Sequence, residues 1–328
     1  MSESPPDLDL SATDRLRGAA AAALIAASRA LPRESAMRLA AATGRSIARF
    51  SGPRTAVALQ NLRIAFPQLR ESQRRAVLEA SYANVGRALI EFANMGKWDA
   101  RQLRDLADVE GWENLAKARE AAPTGGVICL TAHYGSWELL VAIMAAHEID
   151  ISVIHRSRDN PLVDRVMARL REEMGVELLP LGSAARGALR ALRAGRVVAV
   201  TFDQNARRSE GVFVPFFGRL ACTRDAPARL AMRTGASVLP VFAERLAGSE
   251  RHRVRILPHL ELAAEEGDRE AAVLENVTRM AGAIESAIRR APEQWTWTHR
   301  RWRTQPLGEP RAYPSRRIRT QLEGTPGR

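Results

Sequence analysis

The segment from Thr131 to Glu138, with the sequence TAHYGSWE, combines residue types that can perform acid–base chemistry. It follows a short apolar run and opens a helical pattern, a position at which open α/β sheets bind their ligands. Its H-x4-E spacing can bring the Glu138 carboxylate against the His133 imidazole, which predicts a general base and the acid that orients it. Gly135 permits a tight bend, and Ser136 can cap the helix. Such a pair would remove a proton from an attacking hydroxyl without a covalent nucleophile.

His133 could also have a purely structural role. A lone histidine near a strand end is commonly a hydrogen-bonded structural residue, and the H-x4-E pattern arises readily by chance. A zinc site would need an H-E-x-x-H pattern or further Cys and His ligands, and the sequence has none nearby. We therefore expect no metal and no other cofactor.

Polar residues also follow two further predicted strands. Arg156 and Arg158 lie in the segment HRSRDNP, where their guanidinium groups could bind a phosphate or a carboxylate. Asp203 and Gln204 directly follow another strand. A basic loop or ordinary loop residues would explain either segment alone. Because both segments are expected at the same edge of the sheet as His133, we predict that they form one site.

Residues 211–218, with the sequence GVFVPFFG, form an apolar and aromatic run that is too short for a core helix. The run could line a groove for an acyl chain. It could equally be a buried edge strand.

Strand-like and helical patterns alternate from residue 125 onward, which predicts an α/β layer with a central sheet. We expect strands over residues 127–130, 151–154, 176–181, 197–202, 237–242 and 253–257, and helices over 137–147, 161–174, 186–194, 224–233 and 271–290. Asn160 is a plausible N-cap for the second of these helices. Residues 54–110 show only helical patterns.

The chain divides into four predicted regions. Residues 1–14 are polar and are expected to be disordered, and residues 15–110 form a helical N-terminal region that associates with membrane. Residues 111–304 form the α/β domain. Residues 305–328 are rich in Pro, Gly and Arg, and we expect a loose basic tail.

The formal net charge is +12, from 49 Lys and Arg against 37 Asp and Glu. This charge suits an anionic partner, although arginines spread over solvated surfaces would explain part of it. The sequence has no nucleic-acid recognition signature, and its aromatic residues are not interleaved with the arginines, so we do not expect a nucleic-acid partner. The two cysteines, Cys129 and Cys222, form no CxxC pair and indicate a reducing compartment.

No stretch of about 20 residues lacks charge, so the sequence predicts no clear membrane-spanning helix. The nearest approach is the alanine-rich run over residues 18–28, which Arg17 and Arg29 flank. A signal peptide is not expected, because residues 1–14 carry acidic side chains and no Lys or Arg. The run is either a buried helix or an interfacial helix, and the flanking arginines favour the second.

Several of these segments, in this order, resemble the late acyltransferases of lipid A biosynthesis, the Kdo2-lipid IVA lauroyl and myristoyl transferases. Phosphatidylinositol mannoside acyltransferases belong to the same wider family. The resemblance runs from about residue 56 to residue 304. It includes NLRIAFP at 61–67, the H-x4-E motif, HR at 155–156 with NPLVD at 160–164, DQ at 203–204 with VFVPFFG at 212–218, and PEQWTWTHRR at 292–301.

The resemblance implies a glycerolipid-acyltransferase-like α/β fold, with a central mixed sheet flanked by helices and a helical N-terminal segment that associates with membrane. It implies transfer of a fatty acyl chain from acyl carrier protein to a hydroxyl of an anionic glycolipid, run by His133 and Glu138. The resemblance assigns binding of a substrate phosphate to Arg156, and it matches Asp203 and the closing residues Trp297, His299, Arg300 and Arg301 to family motifs. With Arg158 and Gln204 added from the same segments, the expected substrate-binding residues are Arg156, Arg158, Asp203, Gln204, Arg300 and Arg301.

The protein would then act at the cytoplasmic face of the inner membrane, held peripherally or by an N-terminal anchor. Two features depart from the family pattern. The N-terminal apolar run is shorter than the family's usual anchor, and residues 205–210, NARRSE, are more basic than expected after DQ. Two alternatives remain: an acyl-CoA-dependent enzyme acting on a phosphatidylinositol mannoside, and a relative that binds lipid without catalysis.

Overall fold

The computed structural model of the protein describes residues 11–50, 52–155, 160–264 and 267–313. Its strands are β1 (Ala107–Glu110), β2 (Val127–Thr131), β3 (Ile151–His155), β4 (Glu177–Pro180), β5 (Val197–Thr201), β6 (Gly211–Phe216), β7 (Arg219–Arg224), β8 (Ser237–Arg245) and β9 (His252–Ile256). Its helices are α1 (Ala12–Ala30), α2 (Arg33–Arg49), α3 (Pro53–Ala65), α4 (Glu71–Asn94), α5 (Ala100–Asp105), α6 (Trp112–Ala121), α7 (Trp137–Ala146), α8 (Pro161–Glu172), α9 (Ala184–Arg193), α10 (Ala226–Thr234) and α11 (Arg269–Arg290).

Seven strands form a central sheet in the order β1-β9-β8-β2-β5-β3-β4. The run from β8 to β4 is parallel throughout, whereas β9 is antiparallel to β8 and carries β1 parallel to itself. The sheet is therefore mixed, and helices flank it, as predicted. The carboxyl ends of β2, β3, β5 and β8 lie along one edge, which is where parallel sheets bind ligands.

Strand β2 lies at the centre of the sheet and is buried on both faces. Ile128 and Leu130 join the hydrophobic core on one face, while the alternate residues Val127 and Cys129 join the core on the other. A strand covered on both faces has a continuous apolar sequence, because every side chain contacts protein. This pattern made β2 predictable.

The six predicted strands are all present, with ends that differ by a few residues. Asn160 caps α8 as predicted, since its side chain accepts a hydrogen bond from the Leu162 N–H at 3.0 Å. The prediction that residues 54–110 are wholly helical was wrong, because β1 lies at the end of that range. Its short sequence, ADVE, alternates without a strong apolar face, and pairing with β9 holds it in place.

The aromatic run at residues 211–218 forms β6 and the turn of an antiparallel hairpin with β7. Val214 and Phe216 have 0% and 1% exposure and join the same core as α11. The sequence left an acyl groove and a buried edge strand open for this run, and the structure supports the buried strand.

The N-terminal helices pack against each other at close range. A Cβ atom at Gly44 of α2 would lie 2.3 Å from the Tyr82 carbonyl oxygen of α4, and one at Gly86 would lie 2.5 Å from the Ala40 carbonyl oxygen. Glycine at both positions lets the two backbones approach. In the part of the chain that the structure describes, no helix has the length and apolar character to cross a membrane. Membrane association of this region therefore stays a prediction.

Residues 305–313, the first part of the predicted tail, return to the N-terminal helices. The Tyr313 side chain is 9% exposed, and its hydroxyl donates to Asn61 Oδ1 at 2.6 Å. The remainder of the predicted tail, 314–328, and residues 1–10 of the predicted disordered start lie outside the described residues.

Candidate active site

The register of β2 and β5 brings His133 and Asp203 together. Thr131 pairs with Thr201 at the end of the two strands, and His133 and Asp203 each lie two residues further along the chain. His133 Nδ1 lies 2.9 Å from Asp203 Oδ1, and the His133 backbone N–H donates to Oδ2 at 3.1 Å. A proton on Nδ1 makes the hydrogen bond to Asp203 Oδ1, so Nε2 is the nitrogen that keeps a lone pair.

Asp203 is a buried carboxylate with 3% exposure. Its Oδ2 also accepts a hydrogen bond from the Trp295 indole N–H at 2.8 Å. Burial alone would raise the pKa of Asp203, but the charge of His133 and the hydrogen bonds from His133 and Trp295 hold the pKa well below its usual range. The carboxylate is therefore ionised at neutral pH and can stabilise the imidazolium that forms when Nε2 takes a proton.

The other nitrogen of His133 faces the amide of Gln204. The imidazole side chain is 26% exposed and packs against the Trp137 ring at a centroid distance of 5.3 Å. Its Nε2 lies 3.3 Å from the Gln204 amide nitrogen, and Gln204 itself is exposed. A substrate hydroxyl that took the place of this amide would lie where Nε2 could remove its proton.

Glu138 does not make the predicted contact with His133. Arg171 of α8 donates Nη2 to Glu138 Oε1 at 2.6 Å and Nε to Oε2 at 2.9 Å, so both carboxylate oxygens bind one guanidinium group. The first turn of α7 presents Glu138 to α8, whereas the strand register presents Asp203 to the imidazole. The structure thus corrects the expected pairing, and a catalytic role for Glu138 stays a prediction.

Arg171 continues into a chain of charged and polar side chains. Its Nη1 lies 3.2 Å from His155 Nδ1, and His155 Nε2 lies 3.1 Å from Asp164 Oδ1. The predicted phosphate ligands Arg156 and Arg158 follow directly, but residues 156–159 lie outside the described residues. Among the described residues, no group of His, Cys, Asp or Glu side chains could hold a metal ion.

The loop after His133 turns sharply against β8. Gly135 has a φ of +56°, and a Cβ atom there would lie 1.8 Å from the Ala243 carbonyl oxygen. Its N–H donates to the Gln294 carbonyl at 2.8 Å, and the Ser136 N–H donates to Ala243 at 3.1 Å. The predicted cap at Ser136 was wrong, because its hydroxyl donates to Glu91 Oε2 at 2.6 Å and makes no capping bond to α7.

Glu91 of α4 lies beneath this loop in a fully buried polar cluster. Arg245 donates to both carboxylate oxygens at 2.7 Å, and His252 Nε2 lies 2.7 Å from Oε1. Burial alone would raise the pKa of Glu91, but His252 and Arg245 outweigh it and hold the pKa far below its usual range. The charged cluster ties the N-terminal helices to the loop that carries His133.

The closing motif after α11 places its two arginines differently. Arg301 is fully buried, and its guanidinium donates to the Cys222 carbonyl at 3.0 Å and to the Gln204 carbonyl at 3.3 Å. These bonds hold the Gln204 backbone from inside the protein. Arg300 is exposed and lies over the Tyr313 ring at 5.9 Å.

His299 of the same motif accepts a hydrogen bond on Nε2 from the Asn205 N–H at 2.8 Å. Burial lowers the pKa of His299 to about 4. The side chain is therefore neutral at pH 7 and acts as an acceptor that fixes the loop after Gln204.

A family model for the bacterial lipid A biosynthesis acyltransferases matches residues 10–304, a range that contains every side chain of this site. The chain belongs to this family. This acyltransferase is 30% identical to the lipid A biosynthesis palmitoleoyltransferase of Escherichia coli K12 over 261 residues, which cover 79% of this chain and 82% of the relative.

Two other relatives extend the comparison. The lipid A biosynthesis lauroyltransferase of E. coli K12 is 28% identical over 285 residues, covering 86% of this chain and 90% of the relative. The phosphatidylinositol mannoside acyltransferase of Mycobacterium tuberculosis is 33% identical over 223 residues, which cover 65% of this chain and 67% of the relative. The resemblance found in the sequence is confirmed, and lipid A biosynthesis acyl transfer is the activity of the family.

Sequence reasoning missed three parts of the acyltransferase site. It assigned Asp203 to substrate binding, because the equal spacing of His133 and Asp203 from their strand ends appears only once β5 is known to pair with β2. Trp295 lies within the closing motif, yet nothing in the sequence showed that its indole N–H binds a carboxylate. Glu91 resembled an ordinary charged residue of a helix, and only its contacts with distant residues distinguish it.

Proposed function

We propose that this acyltransferase moves a fatty acyl chain from an acyl carrier protein thioester to a hydroxyl of a lipid A precursor, with His133 as general base. The observation that carries the chemistry is the 2.9 Å contact between His133 Nδ1 and Asp203 Oδ1, which leaves Nε2 as the basic nitrogen. The lauroyl- and palmitoleoyltransferase relatives support the class of reaction.

The reaction needs one base that later acts as an acid. His133 Nε2 takes the proton of the acceptor hydroxyl as the oxygen attacks the thioester carbonyl carbon. Asp203 stabilises the imidazolium through Nδ1. When the C–S bond breaks, the imidazolium protonates the leaving sulfur. The products are an ester and a free thiol, and His133 is neutral again.

In this proposal the acceptor binds with its anionic groups at the edge of the sheet that carries His133. Arg156, Arg158, Gln204 and Arg300 would contact it, because guanidinium and amide groups bind phosphate oxygens well. Arg301 would act indirectly, by holding the Gln204 backbone.

Glu138 is assigned to the same side of the site. Its two bonds fix Arg171, and Arg171 contacts His155, the residue before the predicted phosphate ligand Arg156. We therefore propose that Glu138 orders the phosphate-binding segment, while Asp203 orients the base.

The proposed location is the cytoplasmic face of the inner membrane. Leu39, Ile47 and Phe50 are 60%, 53% and 74% exposed on or next to α2. Arg45 adds positive charge to this helix, whereas Arg38 and Arg49 pair with Glu34 and Glu79. Exposed apolar side chains flanked by arginines suit an interfacial helix on an anionic membrane. The formal net charge of +12 would also attract an acidic carrier protein.

An acyl-transfer assay with purified protein in detergent tests the proposal. Acyl carrier protein and CoA thioesters of several chain lengths are offered with Kdo2-lipid IVA as acceptor. We expect transfer from the carrier-protein thioester, faster than from CoA, and loss of transfer in His133→Ala. Full activity of His133→Ala would refute the role of the base.

A second candidate function has a specific observation in its favour, the 33% identity to a phosphatidylinositol mannoside acyltransferase. In this case the present chain would use His133 as the base, with a mannosylated phosphatidylinositol as acceptor and acyl-CoA as donor. Transfer to this acceptor, with none to Kdo2-lipid IVA, would replace the first proposal.

A further inference from the structure

Trp295 directs its indole N–H at the carboxylate that orients the base. The side chain has 0% exposure, and the N–H donates to Asp203 Oδ2 at 2.8 Å. Its position is fixed by a 4.5 Å contact between the ring centroids of Trp295 and Trp297 and by a 6.0 Å contact with Phe216. An indole N–H this deeply buried needs a partner, and here the partner is a charged group.

The backbone around Trp295 is bonded to the His133 loop on both sides. Trp295 forms an isolated antiparallel bridge with Tyr134. The Thr296 N–H donates to the His133 carbonyl at 3.0 Å, and the Gln294 carbonyl accepts from the Gly135 N–H at 2.8 Å. The backbone of Trp295 is thus bonded to the same loop that carries the base.

The three hydrogen bonds to Asp203 are divided unequally between its oxygens. Oδ2 accepts from the His133 backbone N–H and from the Trp295 indole, whereas Oδ1 accepts from the His133 imidazole. Two other groups that titrate also face this carboxylate, His299 and Arg301. Instead, His299 accepts from the Asn205 N–H, and Arg301 donates to two backbone carbonyls and to the Thr223 hydroxyl. Among side chains, the indole is therefore the group that holds Oδ2.

We propose that Trp295 is a positioning residue for acyl transfer, because its indole N–H holds the Asp203 carboxylate with Oδ1 facing His133 Nδ1. Without this donor, Oδ2 keeps only the bond from the His133 backbone N–H, so the carboxylate is held less firmly against rotation about its Cβ–Cγ bond and orients the imidazole less strictly. The inference rests on the proposed role of His133 as general base. It adds a residue that touches neither substrate.

Trp297 offers a matched control. It is also 0% exposed and belongs to the same aromatic cluster, but its indole N–H donates to the Pro292 carbonyl at 2.7 Å. Trp297→Phe and Trp295→Phe each remove a buried indole N–H and a similar ring volume. They differ in the acceptor of the lost hydrogen bond, which is the Asp203 carboxylate for Trp295 and the Pro292 carbonyl for Trp297.

Steady-state kinetics on the full chain separate positioning from packing. Trp295→Phe should lower kcat by about tenfold to a hundredfold, the usual loss for a hydrogen bond to a charged group that orients a reacting group. The KM values for donor and acceptor should stay within about twofold, because no substrate contact changes. Trp297→Phe should keep kcat within about threefold. Equal losses of kcat in both variants, or a loss confined to KM in Trp295→Phe, would overturn the proposal.

A spectroscopic arm tests the contact without acyl transfer. The protein has 6 tryptophans, so labelling tryptophan with nitrogen-15 gives a small set of indole N–H signals. Asp203→Asn replaces the charged acceptor with a neutral one, and it should move one indole signal, the one that Trp295→Phe deletes. The signal that Trp297→Phe deletes should stay in place.

If no indole signal moves, the proposal is wrong, whatever the activity. If the signal moves but no donor supports transfer, the contact stands and the proposed function fails. If Trp295→Phe does not fold, the spectra still test the contact. Asp203→Asn must then shift a single indole N–H signal, and this must not be the signal that Trp297→Phe deletes.

Discussion

Replacing Glu91 with Gln should destabilise the whole fold, because it removes one charge from a buried cluster. The Glu91 and Arg245 side chains are 0% and 6% exposed, and His252 is 0% exposed. Glutamine keeps the size of the side chain and can still accept the Ser136 hydrogen bond. It leaves the Arg245 guanidinium buried without a counter-ion, which costs about 3–5 kcal/mol in comparable sites.

This cost translates into a measurable change in melting temperature. The unfolding entropy of a chain of 328 residues is about 0.7 kcal/mol/K, at roughly 2 cal/mol/K per residue. A loss of about 3–5 kcal/mol therefore lowers Tm by about 4–7 °C at pH 7. The pKa of Glu91 is lower in the folded protein than its ordinary 4.5. The stabilisation is therefore complete above that ordinary value and declines as the pH falls below it.

Thermal unfolding of a double-mutant cycle checks this reasoning. Arg245→Met should also be destabilising, since it leaves Glu91 with less compensation. The double variant should cost less than the sum of the two single variants, because it removes both charges together. Glu79→Gln, at a surface pair in which Arg49 is 67% exposed, should leave Tm nearly unchanged, because solvent screens an exposed pair. A Tm for Glu91→Gln within about 1 °C of the wild type would refute the argument.

Three further predictions concern the site. Gly135→Ala should lower the free energy of unfolding by about 2–5 kcal/mol and abolish transfer, because its Cβ would meet a backbone carbonyl oxygen at 1.8 Å. Gly218 also has a positive φ but has nothing within 4 Å of an added Cβ, so Gly218→Ala should cost only about 1–2 kcal/mol in the same thermal unfolding experiments. Glu138→Gln and Arg171→Gln should each lower kcat/KM by about tenfold or more. The double variant should have a kcat/KM no lower than that of the more impaired single variant, because the two side chains act through one ion pair. Fully additive losses would contradict this coupling. Arg300→Glu should raise KM for the anionic acceptor by about threefold to tenfold at low salt and have little effect at about 0.5 M salt, because an exposed charge is screened. An increase that persists at high salt would argue against an electrostatic role.

The strands and the sheet edge were predictable because their signals are local. Val127–Thr131 is buried at every position, and its apolar sequence is what a strand covered on both faces requires. The position of His133 after such a strand then predicts the edge of the sheet at which ligands bind. The acyl-transfer family followed from the order of several short motifs.

The partner of the base could not be predicted, because it depends on strand order. Glu138 is close to His133 in sequence, whereas Asp203 becomes its neighbour only when β5 inserts beside β2. The same limit applies to Arg301, whose burial reflects contacts with Gln204 and Cys222. An arginine in a basic motif resembles a surface ligand until such contacts are known.

Single-turnover acyl transfer by His133→Ala, Asp203→Asn and the double variant measures whether His133 and Asp203 act as one catalytic unit. We expect each single variant to lower the rate of the chemical step by about a hundredfold to ten-thousandfold. The double variant should be no slower than the slower single variant, because residues that act as a unit are not additive. An Asp203→Asn variant that transfers acyl chains within about threefold of the wild-type rate would contradict the account.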